Sequence, residues 1–281
     1  MGLFFRGAFL SLGALVVGFL FFMVLFLFYH AAPAVREIGF SKFFLSDLWF
    51  PVDGDFGLLG ALFGSLALAI LSSFWAVPVA CLTAVFIQFY LPLFLQPFFK
   101  GALELMAGIP SVVYGIFGLT VVVPLMSERL PPGPSVFVGV LILGLMILPS
   151  VALMVYQGLL ALPKEHILGV KALDLAHSKA LFYVYAPFLW PTVFVSAILA
   201  FARALGETMV VLMVCGNIPG MPESFFSPVR TLTANIALEM AYARKTHKEA
   251  LFFSGALLVI ATLLLVGSAF WARKKAAFYV G

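Results

Sequence analysis

Charge is scarce in this sequence. Only 10% of its 281 residues are Asp, Glu, Lys or Arg, against 64% hydrophobic, whereas a soluble domain carries about 25% charged residues. So little charge cannot cover a water-facing surface. This excludes a soluble globular protein and places the chain in a bilayer as one membrane domain, residues 1–281. Cysteine is scarcer still. Cys81 and Cys215 both lie in apolar runs, where buried free thiols are expected rather than a disulfide. No G-x-x-x-x-G-K-[ST] stretch occurs, so the chain carries no P-loop for ATP. Ser-His-Asp, acid-pair and metal-ligand spacings are missing, and His30 and His247 stand isolated at span edges. Catalysis by this chain alone is not expected, and no cofactor is expected to bind it. The net charge of +4 is small and its basic residues gather near span ends. That suits membrane lipid headgroups and does not imply nucleic acid.

What the sequence has instead is long apolar runs, at 8–29, 56–87, 98–126, 135–162, 182–215 and 251–272. Each can cross a bilayer, which takes about 20 residues. The expected fold is all-α, a polytopic membrane protein of six transmembrane helices with both termini on one side. The alternation a membrane barrel needs is missing. Ala32-Pro33-Ala34 resembles a signal-peptidase site. The run before it exceeds a signal peptide's apolar core of about 7–15 residues, so an uncleaved anchor is expected. Gly57, Gly60 and Gly64 form a small-residue edge that would admit another helix closely. Pro78 is expected to kink or end the second span. Lys and Arg divide almost evenly between the two sides. The segments on the termini side are shorter, and Lys274 and Lys275 abut a span, so cytoplasmic termini are expected.

Two runs contain residues that hydrocarbon disfavours. In RALGETMVVLMVCGN (203–217), Arg203 and Glu207 interrupt an apolar stretch, at a cost of about 2.5–3.5 kcal/mol for a charge at helix centre. Four residues apart on a continuous helix they share a face and could neutralise each other. That face must meet protein or a water-filled cavity. Two readings stay open: an ion pair clamping helices, or a polar pathway for a charged solute. A guanidinium suits an oxyanion, and Thr208 and Asn217 add donors. In ELMAGIPSVVYG (104–115), Gly108 and Pro110 break helical hydrogen bonding, Ser111 and Tyr114 supply hydroxyls beside the break, and Glu104 can pair with Lys100. A kink used only for packing is the alternative.

The loops carry further expectations. PKEHILGVKALDLAHSKA (163–180) reads as a short amphipathic helix on the cytoplasmic face, either lying in the headgroups or docking a partner. Residues 231–243 read as helical, and the aromatic-rich 36–56 as an interfacial belt or a partner contact.

ELMAGIPSVVYGIFGL (104–119) followed by RALGETMVVLMVCGN (203–217) resembles the permease subunits of bacterial phosphate ABC importers, of PstC type rather than PstA type. WFPVDGDFGLLGALFGSLALAI (49–70) is similar to the segment entering that family's second helix. The resemblance covers about residues 49 to 217. It implies type I ABC importer permease architecture in the bacterial cytoplasmic (inner) membrane. It also implies a PstA-type second permease subunit, an ATPase subunit dimer using ATP and Mg, and an extracytoplasmic phosphate-binding protein. Lys164, Glu165, Leu168, Gly169, Val170, Lys171 and Asp174 would then dock the ATPase. The family's E-A-A-x-x-x-G signature falls on Leu168-Gly169-Val170 and Asp174, so Leu stands for its Glu and Asp for its loop Gly. The resemblance makes Arg203 and Glu207 functionally important and makes the chain half of a phosphate pathway. The residues alone leave alternatives: a gradient-driven secondary anion transporter, a non-transporting membrane scaffold, or an importer of another oxyanion such as sulfate or molybdate.

Overall fold

The computed structural model describes the backbone of residues 2–280; the side chains of 2–4, 8, 164, 167, 171, 177, 178 and 272–280 lie outside the description. The expected docking roles of the Lys164 and Lys171 side chains, and the orienting charges of Arg273, Lys274 and Lys275, therefore fall outside the described residues.

Helix α1 (Gly2–Ile38) extends well past the expected 8–29 at both ends and is followed by the short α2 (Phe40–Leu45). A two-residue antiparallel pair, β1 (Trp49–Phe50) and β2 (Asp55–Phe56), leads into α3 (Leu59–Val85), which continues past Pro78 rather than ending there and closes in a π-turn at Phe86–Tyr90. The third apolar run is not one straight span. Helix α4 (Gln96–Gly108) and the segment from α5 (Ser111–Phe117) through a π-turn to α6 (Val123–Ser127) meet at 90° across the break. Helix α7 (Val136–Leu160) is the fourth span. The expected single helix at 163–180 is two, α8 (Lys164–Ala172) and α9 (His177–Ala180), separated by a turn in which Asp174 adopts φ 43°. The fifth run is divided as well. A π-turn at Leu181–Tyr185 opens α10 (Ala186–Leu205), the chain turns at Gly206, and α11 (Met209–Val214) follows. The expected helix near 231–243 is α12 (Leu232–Glu239), capped by the Thr231 hydroxyl on the Ala234 N–H at 3.2 Å. Helix α13 (Thr246–Val280) is last. By length and composition, five helices among the described residues can cross a membrane, and six if the bent pair counts as one span.

Helix α7 is the centre of the bundle. Its Ile142, Leu143, Met146 and Ile147 are fully buried in a cluster that also gathers Leu68, Ala76 and Ala80 from α3 and Val210, Val211 and Val214 from α11. Close approach depends on small residues. A Cβ on Gly144 would stand 2.2 Å from the Trp75 indole, and one on Gly118 would meet Val214 at 2.7 Å. The Gly60 and Gly64 edge of α3 does admit a close neighbour, but the neighbour is not a helix. A Cβ on Gly60 would meet the Gly220 backbone at 2.6 Å, and one on Gly64 the Arg230 carbonyl at 2.6 Å. The loop 217–231 folds onto α3 instead.

That loop is held by the donors a helix start leaves over. The Val136 and Phe137 N–H groups at the head of α7 donate to Ser227 O (3.1 Å) and Phe225 O (3.0 Å), and the Leu232 N–H donates to Ser65 Oγ at 2.9 Å. A buried polar cluster fixes its far end. Arg230 donates to Glu239 Oε1 (2.7 Å), Asn235 Oδ1 (3.0 Å) and the Asn217 carbonyl (2.8 Å). Glu239 Oε2 accepts from Trp49 Nε1 (2.7 Å) and contacts His247 Nε2 (2.8 Å). His247, which reads as isolated in the sequence, thus belongs to a network joining four segments. Cys215 is fully buried and Cys81 half-buried, and both are free thiols as expected.

Two stability predictions follow from these contacts. Glu239→Ala leaves a partly buried guanidinium without its carboxylate and should cost about 3 kcal/mol. Gly64→Ala should cost about 1–3 kcal/mol by forcing a Cβ into the Arg230 backbone, whereas Gly101→Ala, with nothing within 4 Å of its added Cβ, should be neutral. Thermal unfolding of the detergent-solubilised protein reads both; an unchanged midpoint for Glu239→Ala, or equal effects of the two glycine changes, would contradict these packing assignments.

Candidate functional site

The chain stops being helical where its charges sit. Gly206 closes α10 with its N–H on Ala202 O at 3.2 Å, and Thr208 precedes the first residue of α11 in a non-ideal conformation (φ −114°). Arg203 and Glu207 therefore lie on opposite sides of a break rather than one turn apart on a continuous helix. The expected mutual neutralisation is not what the structure shows. No ion pair joins them among the described residues. Arg203 donates from one Nη to Ser150 Oγ on α7 at 3.1 Å, and its charge acts on the Tyr114 hydroxyl of α5. Glu207 turns the other way. Its Oε1 accepts the Met209 N–H (3.1 Å) and the Val210 N–H (3.3 Å), so the carboxylate satisfies the free donors that open α11. The Glu207 carbonyl accepts the Thr233 hydroxyl of α12 at 2.8 Å, which pins the break from outside.

The second break lies beside the first. Ile109 and Pro110 are extended (ψ 127° and 141°), and the Tyr114 hydroxyl reaches back across the bend to donate to Met106 O at 2.8 Å. The break expected at Gly108 and Pro110 is thus present, and Tyr114 secures it. Ser111 is the first residue of α5 and half-buried. Gly115 lets α5 lie against α11, since a Cβ there would meet Met213 Sδ at 2.6 Å.

Arg203, Ser150 and Tyr114 are accordingly one site, built by the end of α10, the middle of α7 and the bend between α4 and α5. Ser150 escapes sequence reading because nothing around it marks one hydroxyl in an apolar helix; it follows Pro149, and that is its only signal. Arg203 is exposed on the surface of the chain, and Ser150 is its one hydrogen-bond partner among the described residues. Its remaining guanidinium donors face outward, a geometry suited to a tetrahedral or planar oxyanion.

The other expected residues sit elsewhere. Thr208 Oγ turns to Gly206 O at 3.5 Å, within the break itself. Asn217 belongs to the loop rather than to the Arg203 site. It adopts φ 56°, its amide donates to Leu212 O at 2.6 Å, and its carbonyl accepts from Arg230. Glu104 is exposed and pairs with Lys100 at 3.4 Å, as its spacing implies. In the docking segment, Glu165, Leu168, Gly169 and Asp174 are exposed while Val170 packs against the main core. The residue aligned with the family's loop glycine, Asp174, occupies the left-handed backbone region, which glycine enters freely and Asp tolerates.

Comparison with known proteins agrees with this architecture. Residues 76–274 match the family described as the binding-protein-dependent transport system inner membrane component. The chain is 35% identical over 238 residues to the probable ABC transporter permease protein YqgH of Bacillus subtilis, covering 83% of this chain and 77% of the relative. It is 30% identical over 246 residues to the phosphate transport system permease protein PstC of Xylella fastidiosa, covering 80% and 76%. Among solved structures, a bacterial alginate ABC importer superposes with a TM-score of 0.65 at 14% identity over 94% of this chain and 95% of that one. The MetNI methionine ABC transporter superposes at 0.63 and 14% identity, over 82% and 99%; at such identities the likeness is one of fold. The chain belongs to the family of binding-protein-dependent transport system inner membrane components, as a PstC-type permease.

Proposed function

We propose that this chain forms half of the anion pathway of an ATP-driven phosphate importer, with Arg203 as the cationic contact for the passing phosphate. The observation that carries the reading is the outward-facing Arg203 guanidinium, secured by Ser150 on one side only and standing where two spans break. The phosphate transport names of its PstC relatives support the choice of anion. Glu207 takes a different role from Arg203: it closes the head of α11 and so fixes where the break falls. A PstA-type permease would supply the facing half of the cavity, and an extracytoplasmic phosphate-binding protein would deliver the anion. An ATPase dimer using ATP and Mg would drive closure through α8, α9 and the exposed edge of Glu165, Leu168, Gly169 and Asp174. On this reading the termini lie in the cytoplasm, on the ATPase side.

Phosphate uptake by the assembled complex in proteoliposomes tests the pathway. Charge-assisted hydrogen bonds are worth about 1.5–3 kcal/mol, so Arg203→Ala should lower uptake at sub-saturating phosphate by about 10-fold to 100-fold while the subunits still co-purify. Near-normal uptake would overturn the assignment. Glu207→Gln keeps an oxygen that can accept the Met209 and Val210 N–H groups and should transport; Glu207→Ala loses the cap, worth about 1 kcal/mol, and should not match it. A Gln variant as impaired as Ala would show that the charge matters and the cap does not. In the docking turn, Asp174→Gly should preserve phosphate-stimulated ATP hydrolysis, whereas Asp174→Val, strained at φ 43°, should reduce it.

A further inference from the structure

Where the end of α1 meets the start of α13, the surface opens into two cavities that share Ala32 and Arg36. One, of about 330 Å³, is apolar and walled by Phe28, Val35, Phe253, Leu257 and Ile260. The other, of about 620 Å³, brings charged and polar side chains into a largely apolar lining, with Tyr29, His30, Pro33, Glu37 and Glu249 around it. Arg36 is exposed and has no hydrogen-bond or ion-pair partner among the described residues.

On this side two carboxylates, Glu37 and Glu249, stand with Arg36. Glu249 Oε2 is closed off from solvent and has no hydrogen-bond partner. Glu37 accepts one hydroxyl, from Thr246 at 2.9 Å. The Tyr29 carbonyl has no helical donor four residues on, because that residue is Pro33. His30 is turned away, its Nδ1 on Phe26 O at 2.9 Å. A lone guanidinium beside two carboxylates disfavours a bare anion. It matches a zwitterion that carries N–H donors, and the apolar slot alongside matches a hydrocarbon chain.

We propose that this groove binds a phospholipid with a primary-amine headgroup, a phosphatidylethanolamine. Its ammonium offers donors to the Glu37 and Glu249 carboxylates. Its phosphate rests on Arg36, and an acyl chain follows Phe28, Val35, Phe253 and Leu257. The exposed tyrosine at position 29 sits at the level where amphipathic rings meet headgroups. With the termini in the cytoplasm, the lipid belongs to the outer leaflet. Phosphatidylcholine has the same net charge but no N–H, and phosphatidylglycerol sets a phosphate among carboxylates without offering an ammonium.

Native mass spectrometry of the assembled complex, exchanged into equal parts of phosphatidylethanolamine, phosphatidylcholine and phosphatidylglycerol, tests the site. Retention of phosphatidylethanolamine should exceed that of each of the others by about tenfold, the effect of one charge-assisted hydrogen bond; Glu249→Ala should remove the preference, and Arg36→Ala should lower retention of all three lipids, which share the phosphate. Equal retention of the ethanolamine and choline lipids by the unaltered complex, dominance of phosphatidylglycerol, or no retained lipid because a polypeptide fills the groove would each overturn the proposal. The headgroup comparison needs no substitution, so it stands even if a variant fails to fold.

Discussion

Inside hydrocarbon, a backbone that leaves the helix must find a partner for every amide it frees. This structure leaves the helix at two adjacent places, after Gly108 and after Leu205. In each case a side chain supplies what the lost turn gave up. Tyr114 donates to Met106 O across the first break; Glu207 accepts two N–H groups at the second, and Thr233 covers the Glu207 carbonyl. Once the breaks are sealed in this way, the charges beside them can be held in place without being neutralised. The site thus follows from how the broken backbone is satisfied.

The division of labour between Arg203 and Glu207 illustrates this. Two opposite charges four residues apart invite the reading of a self-contained pair. The glycine between them ends α10, so the carboxylate is used on backbone and the guanidinium is left for something else. A polar side chain in a membrane span is expensive, and its partner shows its use. Here the Arg203 partner is a serine hydroxyl, which orients the guanidinium without cancelling its charge.

Much of this architecture is legible in the residues. Apolar length alone marks the spans, because nothing else in a protein needs about 20 such residues in a row. Pro110 announces its break, since it lacks the N–H that a helix requires and restricts Ile109 to an extended conformation. Thr231 announces the start of α12. Gly206 does not announce its own break, because glycine is common in membrane helices and the flanking run stays apolar throughout. A continuous helix over 182–215 would pair Arg203 with Glu207; the turn at Gly206 separates them. Arg230, Glu239, His247 and Trp49 were invisible for another reason: their spacing has no period, and only the folded loop brings them together. The glycine edge of α3 was readable as a close contact, though not as a contact with a loop rather than a helix.

The bond from Trp49 to Glu239 spans 190 residues of chain. During synthesis the indole therefore emerges long before its acceptor exists, and the first five spans enter the bilayer with that end of the bundle unfastened. Arg230 emerges in the same condition, nine residues ahead of its carboxylate. Assembly of this end is in effect the last act of biogenesis, completed only when α12 and the beginning of α13 have left the ribosome. A chain that stalls before them would carry all of its pathway residues and still lack the fastening that holds the 217–231 loop against α3.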